Sequence, residues 1–144
     1  MNDIWTTIVG NVATTPKTSL TPDGVPVTSF RLASSRRYQD RATGRWVDGA
    51  ASYVSVTCWR RLAENVSSSV SLGHPLVVYG RLTITEWERD GRKGSNADLL
   101  AQAVGHDMSR GTSLWAPSPR RQEAPKPSEV VEPAPAARPG AEAA

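Results

Sequence analysis

SYVSVTCWR, residues 52–60, is the stretch that decides the fold. Small apolar residues take every second position, a period of two that is typical of a β-strand packed on a core by one face. These apolar positions are Val54, Val56 and Cys58. Tyr53 and Trp59 then fall on the opposite face. Large rings on a polar face need a contact, so this face is a candidate binding surface.

β-branched residues and alternation predict four further strands. They cover residues 4–14, 26–36, 75–88 and 97–105; in the last, Ala and Leu also favour a helix, and its alternation decides for a closing strand. Residues 62–70 repeat apolar side chains at i, i+4 and i+8, and Gly73 follows them, which predicts a short helix between the third and fourth strands. Gly80, within the fourth strand, indicates a bulge or bend. This order is that of an all-β, five-stranded OB-fold Greek-key barrel.

Three segments lack an apolar period. Residues 37–51 and 89–96 are interpreted as long hairpin loops. Residues 112–144 hold seven of the eleven prolines, and their four acidic and four basic residues cancel. Such a segment cannot bury enough apolar surface to become ordered, so it is predicted to be a disordered tail. The folded domain is then residues 1–111, and the net charge of +3 lies on it.

The fourth strand repeats the arrangement of the third. Val78, Leu82 and Ile84 are assigned to the core, so Arg81 and Trp87 point outward with the rings of the third strand. Rings beside arginines favour a single-stranded nucleic acid, because bases stack on the rings and guanidinium groups pair with phosphates. The candidate phosphate contacts are Arg31, Arg36, Arg37, Arg41, Arg60, Arg81 and Arg92.

The other aromatics have different interpretations. Trp46, in the first long loop, either folds over a ligand or packs that loop on the barrel. Trp5 and Tyr79 are assigned to packing or to a subunit contact. For any single outward ring, a subunit contact or a covering loop is the alternative to a ligand.

No catalytic or cofactor site is predicted. His74 and His106 lie far apart at predicted turns, and the single cysteine, Cys58, is a core residue, so no metal ligand set arises. Neither a Gly-x-Ser-x-Gly elbow nor a phosphate-binding Gly-x4-Gly-Lys loop occurs. We expect no leader and no membrane span, and a protein of the reducing cytoplasm.

Two other function classes make different demands on the same residues. A protein-interaction module on the same barrel would bury its outward rings against a protein partner, and its binding would depend little on salt. An oligonucleotide-processing enzyme would need converging acidic metal ligands. Asp3, Asp40 and Glu86 form no such motif.

Several motifs, in order, resemble the bacterial single-stranded-DNA-binding protein family over residues 3–108. They are IVGNV at 8–12, FRLA at 30–33, YQD with TG at 38–44, WRRLAEN at 59–65 and GRL with Trp87 at 80–87. The sequence AVGHD at 103–107 is similar to the shorter, second-copy type found in actinobacteria.

This resemblance implies an OB-fold that assembles as a homotetramer and wraps single-stranded DNA during replication, recombination and repair. It implies a cytoplasmic, nucleoid-associated protein. By motif, the stacking aromatics fall on Tyr38, Tyr53, Trp59 and Trp87. Tyrosine stands at the first two positions, where the family often has tryptophan, which reduces the stacking area there.

One departure from the family concerns the C-terminal tip. The family's tail typically ends in acidic residues and Pro-Phe, which recruit repair and replication enzymes. Residues 139–144 read PGAEAA, which is neither strongly acidic nor aromatic. The sequence therefore gives no support to recruitment through this tip.

Overall fold

The computed structural model describes residues 2–119 as strands joined by one helix. In chain order the elements are β1 (Ile4–Val12), β2 (Lys17–Leu20), β3 (Pro26–Gln39), β4 (Trp46–Trp59), α1 (Arg60–Ser69), β5 (Pro75–Arg89) and β6 (Arg92–His106). The predicted all-β class is confirmed, as is the helix between the third and fourth long strands. The short strand β2 was not predicted.

The sheet closes on itself. Its strand order is β1-β5-β6-β4-β3-β2, and β1 also pairs with β3 at Asn11↔Ala33 and Val12↔Leu32. Five strands therefore form a ring, and β2 is added outside it against β3. All pairings are antiparallel except β4 with β6, which run parallel at Ser55↔Asp98 through Thr57↔Leu100. This is the closed, five-stranded OB-fold barrel that the sequence predicts.

The core takes one face of each long strand. Phe30, Leu32, Val56, Val78 and Leu99 are all buried inside the barrel. The helix α1 adds Ala63 and Val66 to the same cluster. Each fully buried side chain of this size stabilises the fold by about 1.5–3 kcal/mol, so the inward parity of the strands is strongly determined.

Thr28 is the one buried polar side chain in residues 2–119, and it joins three elements. Its hydroxyl donates to the Ala63 carbonyl of α1 at 2.8 Å. The same oxygen lies 2.8 Å from the Thr18 hydroxyl of β2. A buried hydroxyl without partners would be destabilising, and these two contacts satisfy it.

Both predicted loops are mostly strand, which corrects the sequence interpretation. The ladder between β3 and β4 continues to Gln39↔Trp46, leaving only residues 40–45 as the turn. The ladder between β5 and β6 continues to Arg89↔Arg92. Its turn is Asp90-Gly91, with φ angles of 53° and 77°, the left-handed pair that a tight hairpin requires.

These two hairpin arms extend beyond the barrel, which explains why their sequences do not alternate. Neither face of an arm covers a core, so no apolar period is selected. Ile84, assigned to the core from its parity, lies on the second arm and is 58% exposed. That assignment is wrong because the core ends at Leu82, which packs against it.

The bulge predicted at Gly80 is confirmed. The β5–β6 register shifts between Tyr79 and Gly80. A Cβ on Gly80 would lie 2.9 Å from the Ala101 Cα and would overlap the Leu100 carbonyl oxygen. The two backbones therefore approach more closely here than a side chain permits.

Residues 107–119 continue beyond β6 without regular secondary structure, apart from a turn at 108–109. The compact unit that contains the barrel runs through Leu114. The predicted domain boundary at residue 111 and the disorder of 112–144 stay predictions, and most of that tail, including its tip, lies outside the described residues. Within the described part, the structure has no helix long and apolar enough to cross a membrane.

We predict that Thr28→Val lowers the free energy of unfolding by roughly 1–3 kcal/mol, because it removes a buried hydrogen bond at nearly constant volume. Thr18→Val is the matched control, since Thr28 keeps its bond to Ala63 in that variant. Urea unfolding measures both variants. Equal losses for the two would contradict the importance of the buried bond.

Candidate nucleic-acid interface

The outward side of the barrel follows from the strand register. Residues directly opposite one another in a ladder share a face. Val27 lies opposite Trp59, and Ala33 lies opposite Tyr53. Both rings thus occupy the outer side of the β3–β4 ladder, opposite to the buried Val54, Val56 and Cys58.

The outer sides of four strands form one surface. The parallel pairing sets Ser55 of β4 beside Asp98 of β6, and Asp98 lies opposite Thr83 of β5. Thr83 has the outward parity of Trp87. We call this surface, the outer side of β3, β4, β6 and β5 with their two arms, the aromatic face. The four predicted rings, Tyr38, Tyr53, Trp59 and Trp87, are between 41% and 51% exposed, and the last three have the parity of this face.

Tyr38 does not share the parity of the aromatic face. Alternation along β3 gives Tyr38 the parity of Phe30 and Leu32, whose side chains are inside the barrel. The register shifts between Ser35 and Arg37, where Gly49 and Ala50 of β4 lie opposite Arg36 alone. The extra residue belongs to β4, so β3 keeps its alternation, and Tyr38 is exposed because its arm has no core beneath it. Strand parity missed this ring, and only the family resemblance identified it.

Trp46 lies on the other side of the arm from Tyr38. It pairs with Gln39, which has the parity of Arg31 along β3, so its register is that of the aromatic face. Its ring is 62% exposed, so it does not pack the hairpin on the barrel.

Arginines surround the rings. The Arg31 guanidinium carbon lies 5.2 Å from the centre of the Tyr53 ring, a cation–π contact. Arg37 pairs with Asp48 at 3.3 Å, but both groups are well exposed and the pair contributes little to stability. The remaining predicted cations are all exposed: Arg36 in the bulge, Arg41 and Arg92 at the ends of the arms, Arg60 after Trp59, and Arg81 on β5.

Arg60 has an unusual backbone conformation. Its φ is 61°, in the left-handed region that a residue with a Cβ enters at a cost of roughly 1–2 kcal/mol. It follows Trp59 directly, where β4 turns into α1. A glycine would suit this backbone better. Arg60 therefore places an exposed guanidinium next to the candidate stacking ring of Trp59, although its own backbone is strained.

Trp5 and Tyr79, assigned to packing or subunit contact, contact one another. Their ring centres are 5.6 Å apart, and the planes meet at 27°. They lie on β1 and β5, and both remain partly exposed together with Val9. Arg81 lies opposite Trp5, so this apolar patch adjoins the aromatic face.

The two histidines, distant in sequence, meet in the structure. His74 Nδ1 lies 3.1 Å from His106 Nε2, and the Ser71 amide donates to the same Nδ1 at 3.2 Å. This pair joins the start of β5 to the end of β6. Among residues 2–119, no cluster of three or more histidine, cysteine or acidic side chains could hold a metal ion.

Two side chains among residues 2–119 have displaced pKa values. Burial raises the pKa of the Cys58 thiol to about 12, so it stays protonated and acts as a small core residue. Hydrogen bonds from the Ser109 hydroxyl and amide lower the pKa of the Asp107 carboxyl. Neither group lies on the aromatic face.

A closed five-stranded barrel with rings and arginines on its outer side is an OB-fold of the oligonucleotide-binding class. The model of the single-strand binding protein family matches residues 3–107. The chain belongs to this family.

Two curated relatives are similar over most of their length. The chain is 40% identical to single-stranded DNA-binding protein 1 of Streptomyces coelicolor, covering 88% of this chain and 81% of the relative. It is 44% identical to single-stranded DNA-binding protein 2 of Streptomyces avermitilis, covering 86% and 78%. Both organisms are actinobacteria, as the resemblance indicated.

Two solved structures share the fold. A small single-stranded DNA-binding protein from Streptomyces coelicolor is 44% identical with a TM-score of 0.68, covering 77% of this chain and all of that one. The second single-stranded DNA-binding protein of Mycobacterium smegmatis is 30% identical with a TM-score of 0.61, covering 81% and 100%.

We predict that Arg60→Gly is more stable than Arg60→Ala by about 1 kcal/mol, because alanine keeps the left-handed strain and glycine removes it. The two variants lack the same guanidinium, so the comparison isolates the backbone. Urea unfolding measures the difference. An alanine variant as stable as the glycine variant would show that residue 60 is not left-handed in solution.

Proposed function

We propose that this protein binds and protects single-stranded DNA without sequence preference, in replication, recombination or repair. The observation that carries the proposal is the aromatic face. Tyr53, Trp59 and Trp87 share the parity of one outer surface, Tyr38 lies on the adjoining arm, and part of each ring is exposed. The names of the relatives support DNA as the ligand.

Stacking explains the absence of sequence preference. Every base has a π-face, so a ring accepts any base and contributes on the order of 1–3 kcal/mol for each one. The two arms carry Tyr38 and Trp87 beyond the barrel, while Tyr53 and Trp59 lie on the barrel wall. A DNA strand that contacts all four rings must therefore pass across β4 and reach both arms.

Arginines would hold the phosphates along this path. Arg31 contacts Tyr53, Arg60 follows Trp59, and Arg81 lies on the strand that carries Trp87. Binding of phosphates releases counterions, so affinity falls steeply as salt rises. Asp98 is an exposed negative charge in the middle of the face. Phosphates are therefore expected to run beside β6 rather than over Asp98.

We further infer that the protein assembles as a homotetramer and acts in the cytoplasm at the nucleoid. Between residues 4 and 10, β1 pairs with β5 alone, which leaves its other edge open for a strand of a second copy. The Trp5–Tyr79 stack and the exposed Val9 form an apolar patch beside that edge. Open edges and apolar patches of this kind are stabilised by self-association.

The alternative, a protein-interaction module, uses the same rings. A protein partner would bury them with little dependence on salt, whereas DNA binding must weaken as salt rises. The relatives' names favour DNA for these rings. The salt series below distinguishes the two.

We predict that Trp59→Ala and Trp87→Ala each weaken binding to oligo-dT by roughly 1–3 kcal/mol, because each removes one stacking ring. Trp115→Ala is the matched control. Its ring is 83% exposed, more than either, and it belongs to no strand of the barrel. Fluorescence anisotropy of labelled oligo-dT, measured over a series of salt concentrations, gives the affinities and the salt dependence.

Light scattering on the same samples measures the molecular mass, for which we expect four chains. Salt-independent binding, or a loss in Trp115→Ala as large as that in Trp59→Ala and Trp87→Ala, would contradict the proposed face. A mass of one chain in the free and the bound protein would contradict the assembly without affecting the face.

A further inference from the structure

Trp87 packs directly on the backbone of the neighbouring strand. It lies opposite Gly94 in the β5–β6 ladder, three residues from the tip of the arm. A Cβ on Gly94 would lie 2.6 Å from Cε2 and 3.0 Å from Nε1 of Trp87, and it would overlap Cζ2. The indole thus occupies the space that any side chain at position 94 would take.

The backbone conformation does not explain a glycine at this position. The positive-φ glycines among the described residues are Gly24, Gly44, Gly73 and Gly91. Gly94 has ordinary strand geometry, where glycine weakens a sheet because it has no side chain to pack and more entropy to lose. The close approach of the Trp87 ring is what requires it.

The contact supports a ring on an arm that has no core beneath it. Almost all residues along the arm are exposed. The indole contacts the backbone at Gly94 and is still 42% exposed, which leaves part of the ring open to a base. A ring that is already immobilised loses less side-chain freedom when a base stacks on it.

Tyr38, on the other arm, shows a looser form of the same arrangement. A Cβ on Gly49 would lie 3.4 Å from Cε1 of Tyr38 and 3.1 Å from the Arg36 carbonyl oxygen. Among the glycines of residues 2–119, Gly49 and Gly94 are the two whose added Cβ would meet an aromatic ring. Each arm therefore combines one exposed ring with one glycine beneath it.

We propose that Gly94 is a positioning residue for base stacking: its missing side chain lets Trp87 pack on β6 with part of its ring open to DNA. This inference rests on the proposed function of Trp87. In this proposal Gly94 itself does not contact DNA.

The test is a double-mutant cycle of Gly94→Ala and Trp87→Ala, with oligo-dT affinity as the readout. We expect Trp87→Ala to weaken binding about 5- to 150-fold, the loss of one stacked base. Gly94→Ala should weaken it about 2- to 12-fold, the effect of one side chain that must be ordered on binding. The double variant should bind as Trp87→Ala does, because Gly94 acts only through the ring.

Gly105→Ala is the matched control. Gly105 lies on the same strand, its φ is not positive, and a Cβ there would meet nothing within 4 Å. We expect its affinity to equal that of the unchanged protein. The double variant also controls for misfolding, because it lacks the Trp87 ring with which the methyl group introduced by Gly94→Ala would collide.

Three results would overturn the inference. If Gly94→Ala keeps full affinity while Trp87→Ala loses it, Gly94 does not position the ring and the proposed function stands. If the two losses multiply in the double variant, Gly94 acts by another route. If Trp87→Ala itself keeps full affinity, Trp87 does not stack on DNA, and that part of the proposed function fails together with the inference.

Discussion

Closure of the barrel is the constraint on which the rest of the structure depends. β1 pairs with both β5 and β3, so the interior has a fixed volume that one face of each strand fills. Leu32, Val56 and Val78 are fully buried in it. Every second residue of the same strands must then face outward, whatever its chemistry. Tyr53 and Trp59 are exposed for this reason, and their exposure is what a base requires.

Alternation predicted the outward rings wherever the strand covers the core. In β4 the valines at 54 and 56 are buried, so the parity of Tyr53 and Trp59 was determined by the sequence alone. Trp87 was assigned by extending the parity of β5 along its arm, and the ladder keeps a constant register from Gly80 to the tip. The barrel order and the single helix followed from the same periodicities.

What escaped prediction has local physical causes. The arms cover no core, so their sequences lack the period that marks a strand. Ile84 was assigned to the core from its parity, but on an arm neither face of the ladder is buried. A single extra residue of β4, opposite Arg36, changes which residues of the first arm share a face, and no residue type marks it. The support of Trp87 by Gly94 depends on a cross-strand register, and the left-handed Arg60 depends on the turn into α1. Neither is encoded in a local pattern.

The central claim is that DNA lies on the aromatic face. Ultraviolet cross-linking of oligo-dT to the full chain, followed by mass spectrometry of the modified peptides, tests it most directly because a base reacts only with side chains that it contacts. The account predicts adducts at Tyr38, Tyr53, Trp59 and Trp87. Adducts confined to Trp5, Tyr79 or Trp115 would contradict it.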